Sequence, residues 1–209
     1  GAGVSNIIRN NILLEVVGNG LRTDDWQRHT EFTNNLICSG GVVHKGHNHI
    51  QNNIFLDANI RFTTYPGQKP FPGSKVNNNI MYFTRQGIDP YKERKIPGIY
   101  TPDDCVLENN IYYTVNDHSA TAKFLAINQT EKGWDNGSKV TDPLFKNPIP
   151  KYRKIKASDL ILAENSPAYK MGFNAINYDA IGITSNYPDQ LKAKILPEFA
   201  GKLLSANAS

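Results

Sequence analysis

Long apolar runs are missing from this chain. Nowhere does it hold the roughly 18 consecutive apolar residues that a membrane-spanning helix needs, which excludes that class. Basic clusters are missing too. The net charge is +4, with Lys and Arg scattered, whereas a nucleic-acid reader carries basic patches interleaved with aromatics. The one short run, Lys151 to Lys156, reads as a solvated surface strand, so we expect neither a nucleic acid nor a membrane as partner. Cysteine is scarce: Cys38 and Cys105 form no metal-type spacing and read as small buried hydrophobes. The start lacks the basic, apolar, then small-residue order of a secretory signal. Because Gly1 stands where Met would, we read the chain as processed, and that lack says little about location.

What is present is ordinary for a folded chain: 39% apolar and 20% charged residues over 209 positions, enough for one large domain or two small ones. The distinctive residue is asparagine. Five pairs share one setting: Ile8-Arg9-Asn10-Asn11-Ile12-Leu13, Phe32-Thr33-Asn34-Asn35-Leu36-Ile37, Ile50-Gln51-Asn52-Asn53-Ile54-Phe55, Val76-Asn77-Asn78-Asn79-Ile80-Met81 and Leu107-Glu108-Asn109-Asn110-Ile111-Tyr112. The second asparagines are 24, 18, 26 and 31 residues apart. Such spacing is too regular for chance and too variable for a helical repeat array.

Each unit reads as a short alternating strand, a tight turn at the asparagine pair and a second short strand. Asparagine tolerates the left-handed backbone that the turn needs. At the same corner of every coil it can also stack amide on amide, satisfying polar groups that would otherwise be buried unpaired. One coil cannot bury its apolar face alone, but stacked coils share a core. The expectation is therefore an all-β chain in a right-handed parallel β-helix, a pectate-lyase-like solenoid. About five coils at ~4.8 Å each give a stack of ~24 Å. An antiparallel sandwich would want turn signals every 8–12 residues instead.

Residues 1–117 supply the coils, and 118–209 a final irregular coil and C-terminal cap in the same domain. Lys123 to Asp142 reads as irregular, with a turn at Trp134-Asp135-Asn136-Gly137. Residues 142–183 read as the cap that covers the sheet edge, and Pro188 to Leu204 has helical spacing for a short helix. The chain begins inside the repeat, so earlier coils are expected from a missing N-terminal segment or a second chain.

The repeat, the Asp24-Asp25 pair and the tail Asn165-Ser166-Pro167-Ala168-Tyr169-Lys170-Met171-Gly172-Phe173 together resemble the C-terminal half of β-helical carbohydrate-active enzymes. The pattern is similar to the β-xylosidases of glycoside hydrolase family 120, with the β-helical fucosidases as near neighbours. The resemblance covers most of residues 4–183. It implies a secreted or periplasmic hydrolase of plant or algal saccharides in which an acid of the Asp24-Asp25 pair is the nucleophile. The family's acid/base glutamate falls at about Gly46, which has no side chain.

Read from the residues, glycoside hydrolysis needs two carboxyl groups about the scissile bond. Asp24 and Asp25 are candidates, beside Arg22, which would help split their acidities. Glu31 is a further carboxylate. The next coil offers His44 and Lys45, and a histidine there suits general acid work near neutral pH. Lys45 with Arg22 or Arg61 suits a uronate or sulfate on the sugar. Trp26 and His29 follow the acids, and Trp26 suits stacking on a sugar ring. A metal site of His44, His47 and His49 is disfavoured because strand alternation separates them.

Three functions remain open. The chain is a hydrolase built on Asp24 or Asp25. It is a polysaccharide lyase with a Lys45 or His44 base, Arg22 facing the uronate, and calcium held by the acids. Or it is a non-catalytic carbohydrate-binding fragment.

Overall fold

Asparagine sets the corners on which the whole arrangement turns. A computed structural model describes residues 6–14, 16, 18–23, 29–63, 73–85, 87–91, 105–150, 155–178 and 181. In every pair the first asparagine takes the left-handed backbone: φ is 56° at Asn10, 56° at Asn34, 55° at Asn52, 54° at Asn78 and 53° at Asn109. The second asparagine instead builds a ladder. Asn11 Nδ2 donates to Asn35 Oδ1 at 2.9 Å, Asn35 to Asn53 at 3.0 Å, Asn53 to Asn79 at 3.0 Å and Asn79 to Asn110 at 3.1 Å. The backbone N–H of each rung donates to the same oxygen, so one side chain satisfies two buried donors.

Strands lie on both sides of these corners, and every named pairing among them is parallel. The chain visits three sheets in turn. The first sheet holds β1 (Asn6–Arg9), β4 (Thr30–Thr33), β7 (Asn48–Gln51), β10 (Ser74–Asn77) and β12 (Cys105–Glu108). The second holds β2 (Ile12–Leu13), β5 (Leu36–Cys38), β8 (Ile54–Leu56), β11 (Ile80–Phe83), β13 (Ile111–Thr114) and β14 (Lys139–Val140). The third holds β3 (Leu21–Arg22), β6 (Gly41–His44) and β9 (Asn59–Phe62), with Tyr91 bridged to Ile60 beyond them.

Rows in register from all three sheets meet in one core. Phe32, Ile50, Val76 and Leu107 come from the first sheet, Ile37, Phe55, Met81 and Tyr112 from the second, and Val42, Ile60 and Tyr91 from the third. Burying rows of this size is the main stabilisation, at about 1.5–3 kcal/mol per large side chain. Gly41 shows how tight the third sheet is: at φ 128°, an added Cβ would fall 2.0 Å from the carbonyl oxygen of Asn59.

Two features of the C-terminal third depart from the sequence reading. The stretch read as irregular from Lys123 opens with a helix, α1 (His118–Thr130). Its cap is Asp117, whose side chain accepts from the Ala120 N–H at 2.9 Å. Leu125 joins the core, and Phe124 packs on Tyr112 and Tyr91, so α1 covers the interior beyond β13. Its inward face includes Thr121 and Asn128, both buried, which blurs the apolar spacing that reveals a helix. The turn after it forms as read, with positive φ at Asp135 and Gly137.

Asp135 is wholly buried there and accepts from Tyr112, from Asn128 at 2.8 Å and from Ser138 at 3.1 Å. The second departure is residues 142–150 and 155–176, which lie along a wall. Leu36, Ile54, Ile80 and Ile111 alternate with the core row of the second sheet yet are at most 2% exposed. Phe145 meets Tyr82 on that wall, and Asn52 and Asn78 bond to Asn174 and Gly172. The buried Leu160, Leu162, Ala168 and Phe173 belong to this cover. Residues Gly1–Ile176 form one compact unit and Asn177–Ser209 a second. The helix read at Pro188 to Leu204 lies outside the described residues.

Candidate functional site

The corner between the third and first sheets gathers most of the chain's histidines. It is built by Asn48, which is fully buried at the start of β7. Asn48 Oδ1 accepts from the Thr30 N–H at 2.8 Å, and its Nδ2 donates to the carbonyl of Lys45 and to Thr23 Oγ1. Ser74 Oγ takes the Asn48 N–H at 3.2 Å and donates to the Gly46 carbonyl at 2.8 Å. Thr23, also fully buried, accepts the Lys45 N–H at 3.0 Å. One polar core therefore fixes the end of the third sheet against the start of the first.

Over that core opens a cleft of about 90 Å³ lined by His29, Thr30, Glu31, His47, Asn48 and His49. It is a shallow, partly open cleft, large enough to take polar groups of a ligand. The His29 and His47 rings lie 4.8 Å apart, and those of His47 and His49 5.8 Å apart. Glu31 and His49 are register partners on the outer face of the first sheet. The cleft thus offers imidazole donors and acceptors beside a carboxylate, which is acid–base equipment. Among the described residues no group of three or more His, Cys, Asp or Glu is arranged to hold a metal.

The outer face of the third sheet carries two of the residues picked out from the sequence. Arg22, Val43 and Arg61 stand side by side in register. They alternate with Leu21, Val42 and Ile60, which enter the core, so the three point away from it. Neighbouring strands lie ~4.8 Å apart, which puts the two arginines ~10 Å apart across Val43. Val43 is 3% exposed. The Nε of Arg61 is buried and finds no acceptor among the described residues.

His44 belongs to the other parity of the same strand. It has no exposed surface and meets Phe62 edge-on at 5.4 Å. Burial, with His49 and His47 adding to it, lowers its pKa to about 3, so the ring sits neutral in the interior rather than beside the arginines. Lys45 is 9% exposed at the corner next to it.

The structure therefore brings Arg22 and Arg61 together on one face, and His29 with Glu31 in the cleft. It sends His44 inward. Asp24, Asp25 and Trp26 lie outside the described residues. Both flanks of that stretch are held, Thr23 as above and His29 by its N–H to the His47 carbonyl. Sequence reasoning weighed His47 and His49 only as disfavoured metal ligands and passed over Asn48 as part of the site. The signal for Asn48 is register: Thr30, Asn48 and Ser74 occupy the position that opens three successive strands of the first sheet.

Comparison of the chain with protein-family models, with curated proteins and with solved structures found no match.

Proposed function

We propose that the three parallel sheets wind as a right-handed parallel β-helix, and that the corner between the third and first sheets is a saccharide site that hydrolyses a glycosidic bond. The observation that supports this reading is the cleft of His29, Glu31, His47 and His49, which lies immediately along the chain from Asp24-Asp25. Asp25 precedes His29 by four residues, so it stands within ~14 Å of it even with the chain fully extended.

In this reading an acid of the pair is the nucleophile or base, and Glu31 or a cleft histidine is its acid/base partner. This replaces the carboxylate that Gly46 lacks. Hydrolysis by two such groups follows whether they sit ~5 Å apart, with retention, or ~6.5–9.5 Å apart, with inversion.

A second reading, elimination by a lyase, draws on Arg61. An arginine whose buried Nε has no acceptor among the described residues suits neutralising a uronate, which elimination requires. One assay separates the two: incubate the chain with a panel of plant and algal polysaccharides and follow reducing ends together with the ultraviolet absorbance of an unsaturated product. Reducing ends alone support hydrolysis, and rising absorbance supports elimination. Asp25→Asn should remove the hydrolytic signal; full activity in that variant overturns the role of the pair.

A further inference from the structure

The outer face of the first sheet carries two rows of side chains in register across its five strands. One row runs Ile7, Glu31, His49, Lys75, Val106, and the other Arg9, Thr33, Gln51, Asn77, Glu108. They alternate with the core row from Ile8 to Leu107, so both rows point outward. Ile7 is 55% and Val106 44% exposed, Arg9 and Lys75 are exposed, and the rest are half-buried. Among the described residues none of Arg9, Glu31, Lys75 and Glu108 is in an ion pair.

About β7 each row is its own complement. Glu31 and Lys75 stand one strand to either side of His49, and Ile7 and Val106 two strands to either side. Thr33 and Asn77 flank Gln51 in the same way, with Arg9 and Glu108 beyond them. A two-fold axis along β7, between two such faces, keeps strand direction and carries β4 over β10 and β1 over β12. Glu31 then faces Lys75 of the second copy, Arg9 faces Glu108, Ile7 faces Val106 and Thr33 faces Asn77, each of them twice. Only His49 and Gln51 meet their own equivalents, and both side chains can donate and accept.

We propose that this face joins two copies of the chain in a symmetric dimer. A two-fold interface uses one patch on both copies, so the patch must be self-complementary. Within one chain the same charges answer one another poorly: Glu31 and Lys75 are two strands apart, ~10 Å, and Arg9 and Glu108 four strands, ~19 Å. Aligned sheets pack face to face at about 10 Å, within reach of side chains of this length. Five strands at ~4.8 Å by four residues at ~3.3 Å cover roughly 300 Å² per copy, against ~800 Å² in a standard interface. The dimer is therefore weak and depends on its charges. It also brings Lys75 of the second copy to Glu31 at the edge of the cleft. The proposal does not rest on the saccharide reading, since it is tested by mass and not by cleavage.

Sedimentation of the whole chain from about 10 µM to about 1 mM is the test. A monomer–dimer equilibrium should appear in that range, and raising salt from about 0.05 M to about 1 M should weaken it at least tenfold. Glu31→Lys and Lys75→Glu should each remove the dimer, because like charges then face each other twice. An equal mixture of the two variants should regain it, because every such pairing in the mixed dimer is again between opposite charges. Lys123→Glu on α1 makes the same change in net charge as Lys75→Glu and should leave the equilibrium unchanged. Circular dichroism and a melting curve establish that each variant is folded. A monomer throughout the range, a dimer undiminished in either single variant, or a mixture that stays monomeric overturns the proposal.

Discussion

The side-chain amide and the backbone amide of Asn79 donate to one atom, the Oδ1 of Asn110, at 3.1 Å and 2.9 Å. Asn79 in turn accepts both equivalent donors of Asn53 at 3.0 Å. Its side chain also reaches the Ile50 carbonyl at 2.9 Å. Removing such a group strands donors on one side and acceptors on the other.

Asn79→Ala is expected to destabilise the fold by on the order of 3 kcal/mol, read from urea midpoints. Asn10→Gly, at a first position of the same motif, keeps the left-handed corner and should cost less than about 1 kcal/mol. Similar losses at both positions would show that the two asparagines do not divide the work.

His44 gives stability a pH dependence whose sign follows from burial. Its pKa is near the ordinary 6.5 when unfolded and about 3 when folded. Below pH 6.5 the unfolded chain takes up a proton that the folded chain refuses. The contribution of His44 is therefore complete above pH 6.5 and is lost as pH falls toward 3, by about 1.4 kcal/mol per unit. Denaturant titrations of native protein and His44→Gln should show a flatter slope in the variant between pH 6.5 and 4.

Burial pushes the Cys38 thiol up to about 12, and raises Cys105 as well. Both cysteines are free and buried. Since the thiolate is the reactive form, neither should react with a thiol reagent at pH 8 in the folded chain. Both should react on unfolding in guanidinium. Fast labelling of the native protein would show that the second sheet opens at Cys38 or the first at Cys105.

Gly172 tests the cover over the second sheet. Its φ is 91°, and an added Cβ would approach Asn78 Nδ2 to 2.8 Å, the group that donates to its carbonyl. Gly172→Val should loosen the cover formed by residues 142–150 and 155–176 while leaving the parallel sheets intact. Limited proteolysis would then cut within this segment first, with little change in far-ultraviolet circular dichroism. Unchanged protease resistance would count against the cover.

The parallel fold was legible because one local signal served two physical needs: Asn10 and its equivalents the turn, Asn11 and its equivalents the ladder. The direction of His44 was less legible. Val42 and Val43 are both apolar, so alternation alone did not say which parity faces the core. Only the pairing of Val42 with Leu21 and Ile60 decides it. Helix α1 hid for a related reason, since it buries Thr121 and Asn128 through hydrogen bonds rather than apolar contact. The cover over the second sheet depends on contacts distant in sequence, such as Asn174 with Asn52 122 positions away, which no local pattern carries.

The amide ladder has a direction. Each Nδ2 points to the next rung, from Asn11 through Asn110, so five side-chain dipoles lie head to tail with their positive ends toward α1. At that end sits Asp135, with Asn110 Nδ2 3.5 Å from its Oδ1 and Ser138 between the two through the Asn110 N–H at 2.9 Å. A helix concentrates partial positive charge at its N-terminus by aligning peptide units. Here a column of side chains does the same across separate strands, and a buried carboxylate closes it where no cation bonds it among the described residues. The fold is in this sense electrically polarised from one end to the other.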